Sequence, residues 1–190
     1  MVLPTEPRIP PLSDDELDED QTAVLERFRS PTGIFNIFRT LVHSPKALKG
    51  FGSWGNYVLS DRNTIPADRR ELLILRTGFI CGSMYEWSQH VIIGQFMGLT
   101  VDEIERVKAG PDDPAWTAAD RALLRAVDEL HAGQQLSDET WTALADDADL
   151  DDRQRMDLVF TVGHYTMVAM MLNSFGVQLD DGLEPDPDVA

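Results

Sequence analysis

Along most of this chain apolar side chains recur every third or fourth position, the period of amphipathic helices. Ser13-Asp14-Asp15-Glu16 reads as a capping box opening a helix that carries Leu17, Val24, Leu25 and Phe28. Ser30-Pro31-Thr32-Gly33 breaks it, and a second helix with Ile34, Phe35, Ile37, Phe38, Leu41 and Val42 stops before Pro45. Residues 46–60 predict a third, with Leu48, Phe51, Trp54, Tyr57, Val58 and Leu59. Pro66 suits a helix start, and 67–80 reads as helical up to the break at Cys81-Gly82. A helix over 84–97 ends at Gly98, and Thr100-Val101-Asp102-Glu103 is another capping box. Further helices are expected over 117–131, 138–145 and 152–175.

No stretch alternates apolar and polar residues with the period of a strand. The predicted fold class is therefore all-α, about eight helices packed as one domain over residues 13–177. Residues 1–12 read as an extended arm, because Pro4, Pro7, Pro10 and Pro11 forbid helix there. Residues 178–190 read as an acidic, flexible tail with no periodic apolar face.

Composition narrows the partners. Sixteen Lys+Arg against 33 Asp+Glu give a net charge of −17. That field repels phosphate backbones and anionic membranes, so neither nucleic acid nor a membrane surface is an expected partner. The one cysteine, Cys81, cannot form an intrachain disulfide, which fits a reducing cytoplasm. The N-terminal residues lack the basic start and apolar core of a signal peptide. The apolar run 158–175 includes Thr161, His164, Thr166 and Asn173, and so predicts a buried helix rather than a membrane span.

The densest chemistry is Glu71, Cys81, Ser83, Tyr85, Glu86 and His90. Glu86 and His90 are one helical turn apart and share a face, a spacing that suits an acid/base pair. Tyr85 lies beside that face as a hydrogen-bond donor. Cys81 falls near a helix start, where the dipole favours a thiolate. Plainer readings stand beside these. Ser83-x-x-Glu86 is itself a capping box, Glu86 and His90 can be a surface pair, and Cys81 can be a small buried hydrophobe. His164 reads as a core histidine or as a second imidazole lining the same pocket, with Tyr165 next to it. Trp54 is a further candidate for contact with substrate. No Cys/His cluster, HExxH or Gly-rich phosphate loop is present, so neither a metal nor a nucleotide cofactor is expected.

Together, Arg69-Arg70-Glu71-Leu72-Leu73-Ile74-Leu75-Arg76-Thr77, Cys81-Gly82-Ser83-Met84-Tyr85-Glu86-Trp87-Ser88-Gln89-His90 and Gly98-Leu99-Thr100-Val101-Asp102-Glu103-Ile104 resemble the carboxymuconolactone decarboxylase family, which includes AhpD-like alkylhydroperoxidases. The resemblance implies an AhpD-like fold. The peroxidase branch of that family uses a glutamate, then Cys-x-x-Cys, then a histidine. On this chain those positions fall on Glu71, Ser83, Glu86 and His90, so both thiols are replaced. Peroxide reduction by a dithiol needs a second sulfur to resolve the sulfenate. The residues kept favour the acid/base chemistry of the decarboxylase branch.

The expected function is thus a cofactor-independent acid/base enzyme acting on a small organic acid or lactone. Glu86, His90, Tyr85, Cys81 and Glu71 are its catalytic candidates, and Ser83, His164 and Trp54 are candidates for substrate contact. The alternatives are a thiol-dependent hydroperoxidase using Cys81 and a non-catalytic helical oligomer. Self-association is also expected, a dimer before a trimer. Residues 34–59 carry apolar side chains on more than one face, and the proline-rich arm is of a kind that can cross a neighbouring subunit.

Overall fold

A computed structural model describes residues 4–189. Among the described residues nine α-helices follow one another: α1 (Glu19–Leu25), α2 (Asn36–Leu41), α3 (Pro45–Leu59), α4 (Ala67–Ile80), α5 (Met84–Met97), α6 (Val101–Ala109), α7 (Ala118–Gly133), α8 (Asp138–Asp146) and α9 (Asp152–Phe175). Among the described residues the only β pairing is an isolated bridge between Ser30 and Gly33. The predicted ends of α4, α5 and α9 agree with those observed. Gly98 closes α5 at φ +110° and Gly176 closes α9 at φ +67°, conformations with little penalty only for glycine.

The single helix expected over 13–28 is instead divided. Ser13 caps a short 3₁₀ turn, Leu17 is extended, and Asp18 restarts the chain by accepting from Gln21 N at 2.7 Å. Two good caps five residues apart compete for the backbone donors. One continuous helix would also line up Asp14, Asp15, Glu16, Asp18, Glu19 and Asp20 at repelling spacings.

α4 is the central element, packed against α5, α6, α7 and α9. Four consecutive residues, Leu72, Leu73, Ile74 and Leu75, are therefore fully buried and enter three different parts of the core, Leu72 and Leu75 the same one. Arg76 in the same helix is held by Asp128 at 2.7 and 2.9 Å and by Val107 O at 2.9 Å, so the buried guanidinium is paired. α9 is long and apolar enough, by length and composition, to cross a membrane. Here it lies against α3, α4, α5 and α7, with Leu158, Val162, Tyr165 and Leu172 in the core.

Residues 4–12 carry no helix, as the prolines require, whereas the tail differs from expectation. In the arm, the backbone N–H groups of Arg8 and Ile9 donate to Phe175 O at 2.8 and 3.1 Å, so residues 4–12 lie against their own chain; Met1 to Leu3 are outside the described residues. The tail expected to be flexible packs as a strap over residues 178–189. Asp186 accepts from Trp87 Nε1 at 3.0 Å and pairs with Lys108 at 2.8 Å, and Val189 is buried beside Trp87. The acids that signal a frayed end in the sequence are the groups that dock it, because their partners come from α5 and α6. Within 34–59, Phe35, Ile37, Phe38, Phe51 and Leu59 line a cavity. Trp54 and Leu59 of that stretch are exposed, and the most exposed large apolar side chain is Phe96, 86% exposed at the end of α5.

Candidate functional site

A cavity of about 700 Å³ lies between α1, α2 and α3 on one side and α5 and α9 on the other. Phe28, Phe35, Phe38 and Phe51 supply much of its apolar wall, and Tyr85, Glu86, His90, His164 and Tyr165 its buried polar end. Of the predicted site residues, Tyr85, Glu86, His90 and His164 therefore share one space.

The pairing inside differs from the sequence expectation. His90 is bound to Glu71 of α4, Nδ1 to Oε2 at 2.6 Å, rather than to Glu86 one turn away. A carboxylate only accepts, so Nδ1 is the donor of this pair. Glu86 is the reverse case. It is 2% exposed, and neither carboxyl oxygen has a hydrogen-bond partner. Its capping box with Ser83 does not form: Ser83 makes no side-chain cap bond and its hydroxyl is itself unpartnered. Burial pushes the Glu86 carboxyl well above the ordinary carboxylic range, so it is held as the neutral acid. Gly78 of α4 makes room for it, since a Cβ there would stand 3.2 Å from Glu86 Oε1.

α9 brings the second imidazole. His164 is buried with Nδ1 unpartnered. Tyr165 stands between the two histidines, edge-on to His90 at 4.9 Å and to His164 at 5.3 Å between ring centroids. Burial, reinforced by the charge of His90, lowers the His164 pKa from 6.5 to about 4. The unfolded imidazole takes up its proton near pH 6.5 and the folded one only near 4. The stability from this group is complete above pH 6.5 and is lost as pH falls through that window, by about 3 kcal/mol. Urea unfolding of the wild type and of His164→Gln between pH 7 and 4.5 measures it. The gap between the two proteins should narrow with acid, and parallel curves would show that His164 is not held neutral.

Tyr85 was expected to donate toward substrate. Instead its hydroxyl donates to Asp180 of the strap, which also accepts from Gln89 Nε2 at 2.6 Å and Asn36 N at 2.8 Å. Burial and then the charge of Asp180 raise the phenol pKa, so Tyr85 stays neutral and presents a fixed wall. Asp180 carried no sequence signal. Tyr165 was signalled only by its place next to His164.

The other candidates lie outside the cavity lining. Cys81 caps the end of α4 half-buried, its sulfur 3.6 Å from His131 Nδ1, and burial pushes its thiol to about 11. The favoured thiolate expected from a helix start is thus not obtained, since Cys81 sits at the negative end of α4. Trp54 is 41% exposed and stacks on Tyr57 at 5.2 Å. Among the described residues no three His, Cys, Asp or Glu side chains are grouped to hold a metal ion.

Known proteins resemble the chain in fold. A peroxidase-related protein of Ralstonia eutropha with an alkylhydroperoxidase AhpD core superposes with a TM-score of 0.80 at 18% identity, over 92% of this chain and 93% of that one. A peroxidase-related protein of Silicibacter gives 0.76 at 15% identity, over 97% and 96%. The debrominase Bmp8, in a complex with 2,3,4-tribromopyrrole, gives 0.72 at 15% identity, over 93% and 94%. At such identities the likeness shows the fold alone. No curated protein is a significant match to the sequence. Residues 45–129 match the profile described as "Carboxymuconolactone decarboxylase family". That segment, which holds Glu71, Glu86 and His90, is thus similar to the carboxymuconolactone decarboxylase family, and the chain has an AhpD-like all-α fold.

Proposed function

We propose that the protein is an acid/base enzyme that moves a proton at a carbon next to a carbonyl, acting on a small organic acid or lactone without a cofactor. The observation that carries this reading is Glu86, a buried carboxyl with both oxygens unpartnered, lining a cavity together with His90, which is paired in turn with Glu71. A carboxyl kept neutral by burial is a proton donor at neutral pH, and an imidazole with Nε2 free is an acceptor. In a decarboxylation, the breaking C–C bond releases CO₂ and leaves its electron pair on the adjacent carbon, delocalised into the carbonyl. Glu86 then delivers the proton that completes the C–H bond and regains one from water. His90, its tautomer fixed by Glu71, serves the reverse transfer.

The thiol-dependent alternative finds less support, because Cys81 is outside the cavity lining and held as the thiol. Incubation in D₂O with a panel of small unsaturated lactone acids, followed by NMR, tests the choice. Deuterium should enter the carbon next to the carbonyl, with CO₂ released from the substrates that carry a carboxylate there. Parallel assays with an alkyl hydroperoxide and a dithiol should give little turnover. Robust peroxide reduction that disappears in Cys81→Ser, with no deuterium uptake, would overturn the reading.

A further inference from the structure

We infer that the cavity takes a ligand in three parts: a neutral hydrogen-bonding group at the buried end, an apolar body, and an anionic group at the rim received by Arg27 and Lys49. The inference deepens the function proposed above and rests on it only for the identity of the buried end.

The buried end is defined by polar atoms that lack partners. Both Glu86 oxygens and His164 Nδ1 are buried and unsatisfied, and both residues face the cavity. Unpaired buried polar groups are costly, and a ligand carbonyl or hydroxyl would satisfy them. An anion there would meet an apolar wall and the carboxyl group of Glu86, with no lysine or arginine in the lining at that end. The buried guanidinium of Arg70 does not line this space and is spent on the carbonyls of Leu59, Ser60 and Ile65. A charge that the ligand keeps is therefore disfavoured at depth, whereas a carboxylate destabilised there is the one that leaves as CO₂.

The rim has the opposite character. Arg27 follows α1 and Lys49 lies in α3; both side chains are exposed and both line the cavity. Neighbouring arginines are neutralised locally, Arg29 by Glu26 at 2.5 Å and Arg39 by Asp14 at 2.9 Å. Among the described residues Arg27 and Lys49 have no such ion pair. In a chain of net charge −17, two cations on the open edge of an apolar cavity form a local positive field, which selects an anion and steers it in. Between rim and buried end, Phe28, Phe35, Phe38, Phe51, Ile93 and Val168 offer no polar side-chain partner. At about 700 Å³ the space is in the range that encloses drug-sized ligands, which leaves room for an apolar body between the two polar ends.

Calorimetric titration of the full chain with 4-phenylbutyrate, 4-phenylbutan-1-ol and 4-phenylbutylammonium isolates the end group on a shared apolar body. The carboxylate should bind roughly threefold to tenfold more tightly than the alcohol at low ionic strength, and the ammonium most weakly. The preference should shrink in about 0.5 M salt. In the double variant Arg27→Gln, Lys49→Gln the carboxylate should fall to the level of the alcohol. Equal affinities in the wild type, a preference that survives the double variant, tightest binding of the ammonium, or no binding of any probe would each overturn the inference. The acid/base reading fails separately. Glu86→Gln with full turnover refutes it, while leaving the charge preference of the probes unaffected.

Discussion

Glu86→Gln should lower turnover by roughly 10²-fold or more, the usual effect of losing a general acid, while making the folded protein more stable at neutral pH. The two effects share one cause. Glu86 is buried without a partner and is neutral in the folded state, whereas in the unfolded chain it ionises near 4.5. Its folded pKa is raised, so the stability it allows is complete below pH 4.5 and declines as pH rises above that value. The slope is up to about 1.4 kcal/mol per pH unit until the folded group ionises too. A glutamine has nearly the same shape and no proton to lose. The wild type and the variant should therefore unfold at similar temperatures near pH 4 and diverge as pH rises, with the variant the more stable. Thermal scans from pH 4 to 8 give the comparison without a substrate. Parallel curves would mean that Glu86 is ionised in the folded protein and cannot act as the acid.

Glu71→Gln should have a comparable effect on turnover, roughly 10²- to 10⁴-fold, through a different route. Glu71 need not touch the substrate; it holds Nδ1 of His90 at 2.6 Å and so fixes which ring nitrogen is left for another partner. An amide can either accept from Nδ1 or donate to it, so the tautomer is no longer fixed. The charge-assisted hydrogen bond is also lost, at about 1.5–3 kcal/mol of stability. Nitrogen-15 NMR of the His90 ring reads the tautomer directly. A mixture of tautomers in the variant, together with reduced turnover, is the expected result. An unchanged ring spectrum with unchanged turnover would make Glu71 an ordinary buried acid.

Much of the fold is legible in the sequence because its signals are local. The boundaries of α4, α5 and α9 follow from Pro66, Gly98 and Gly176, and a helix end is decided by the few residues whose backbone groups lack partners there. The motif 81–90 likewise spans the first half of α5, whose Tyr85, Glu86 and His90 line the cavity. Where the local signals conflict, the reading fails. Ser13 and Asp18 each cap a turn, and the chain divides between them.

The sequence by itself determined the helical class, most helix ends, and the segment in which Glu71, Glu86 and His90 lie. Tertiary structure decided what each of those groups is. Which carboxyl is paired and which is left alone depends on the packing of α4 against α5, which brings Glu71 to a histidine 19 positions away. Whether His164 is a core residue or a cavity residue depends on where α9 crosses α3. The role of the strap depends on Asp180 meeting Tyr85 across 95 positions. Helix caps act through hydrogen bonds within one turn, so composition and spacing reveal them. Charge states and pairings are set by burial from several helices at once, and no short stretch of sequence contains that information.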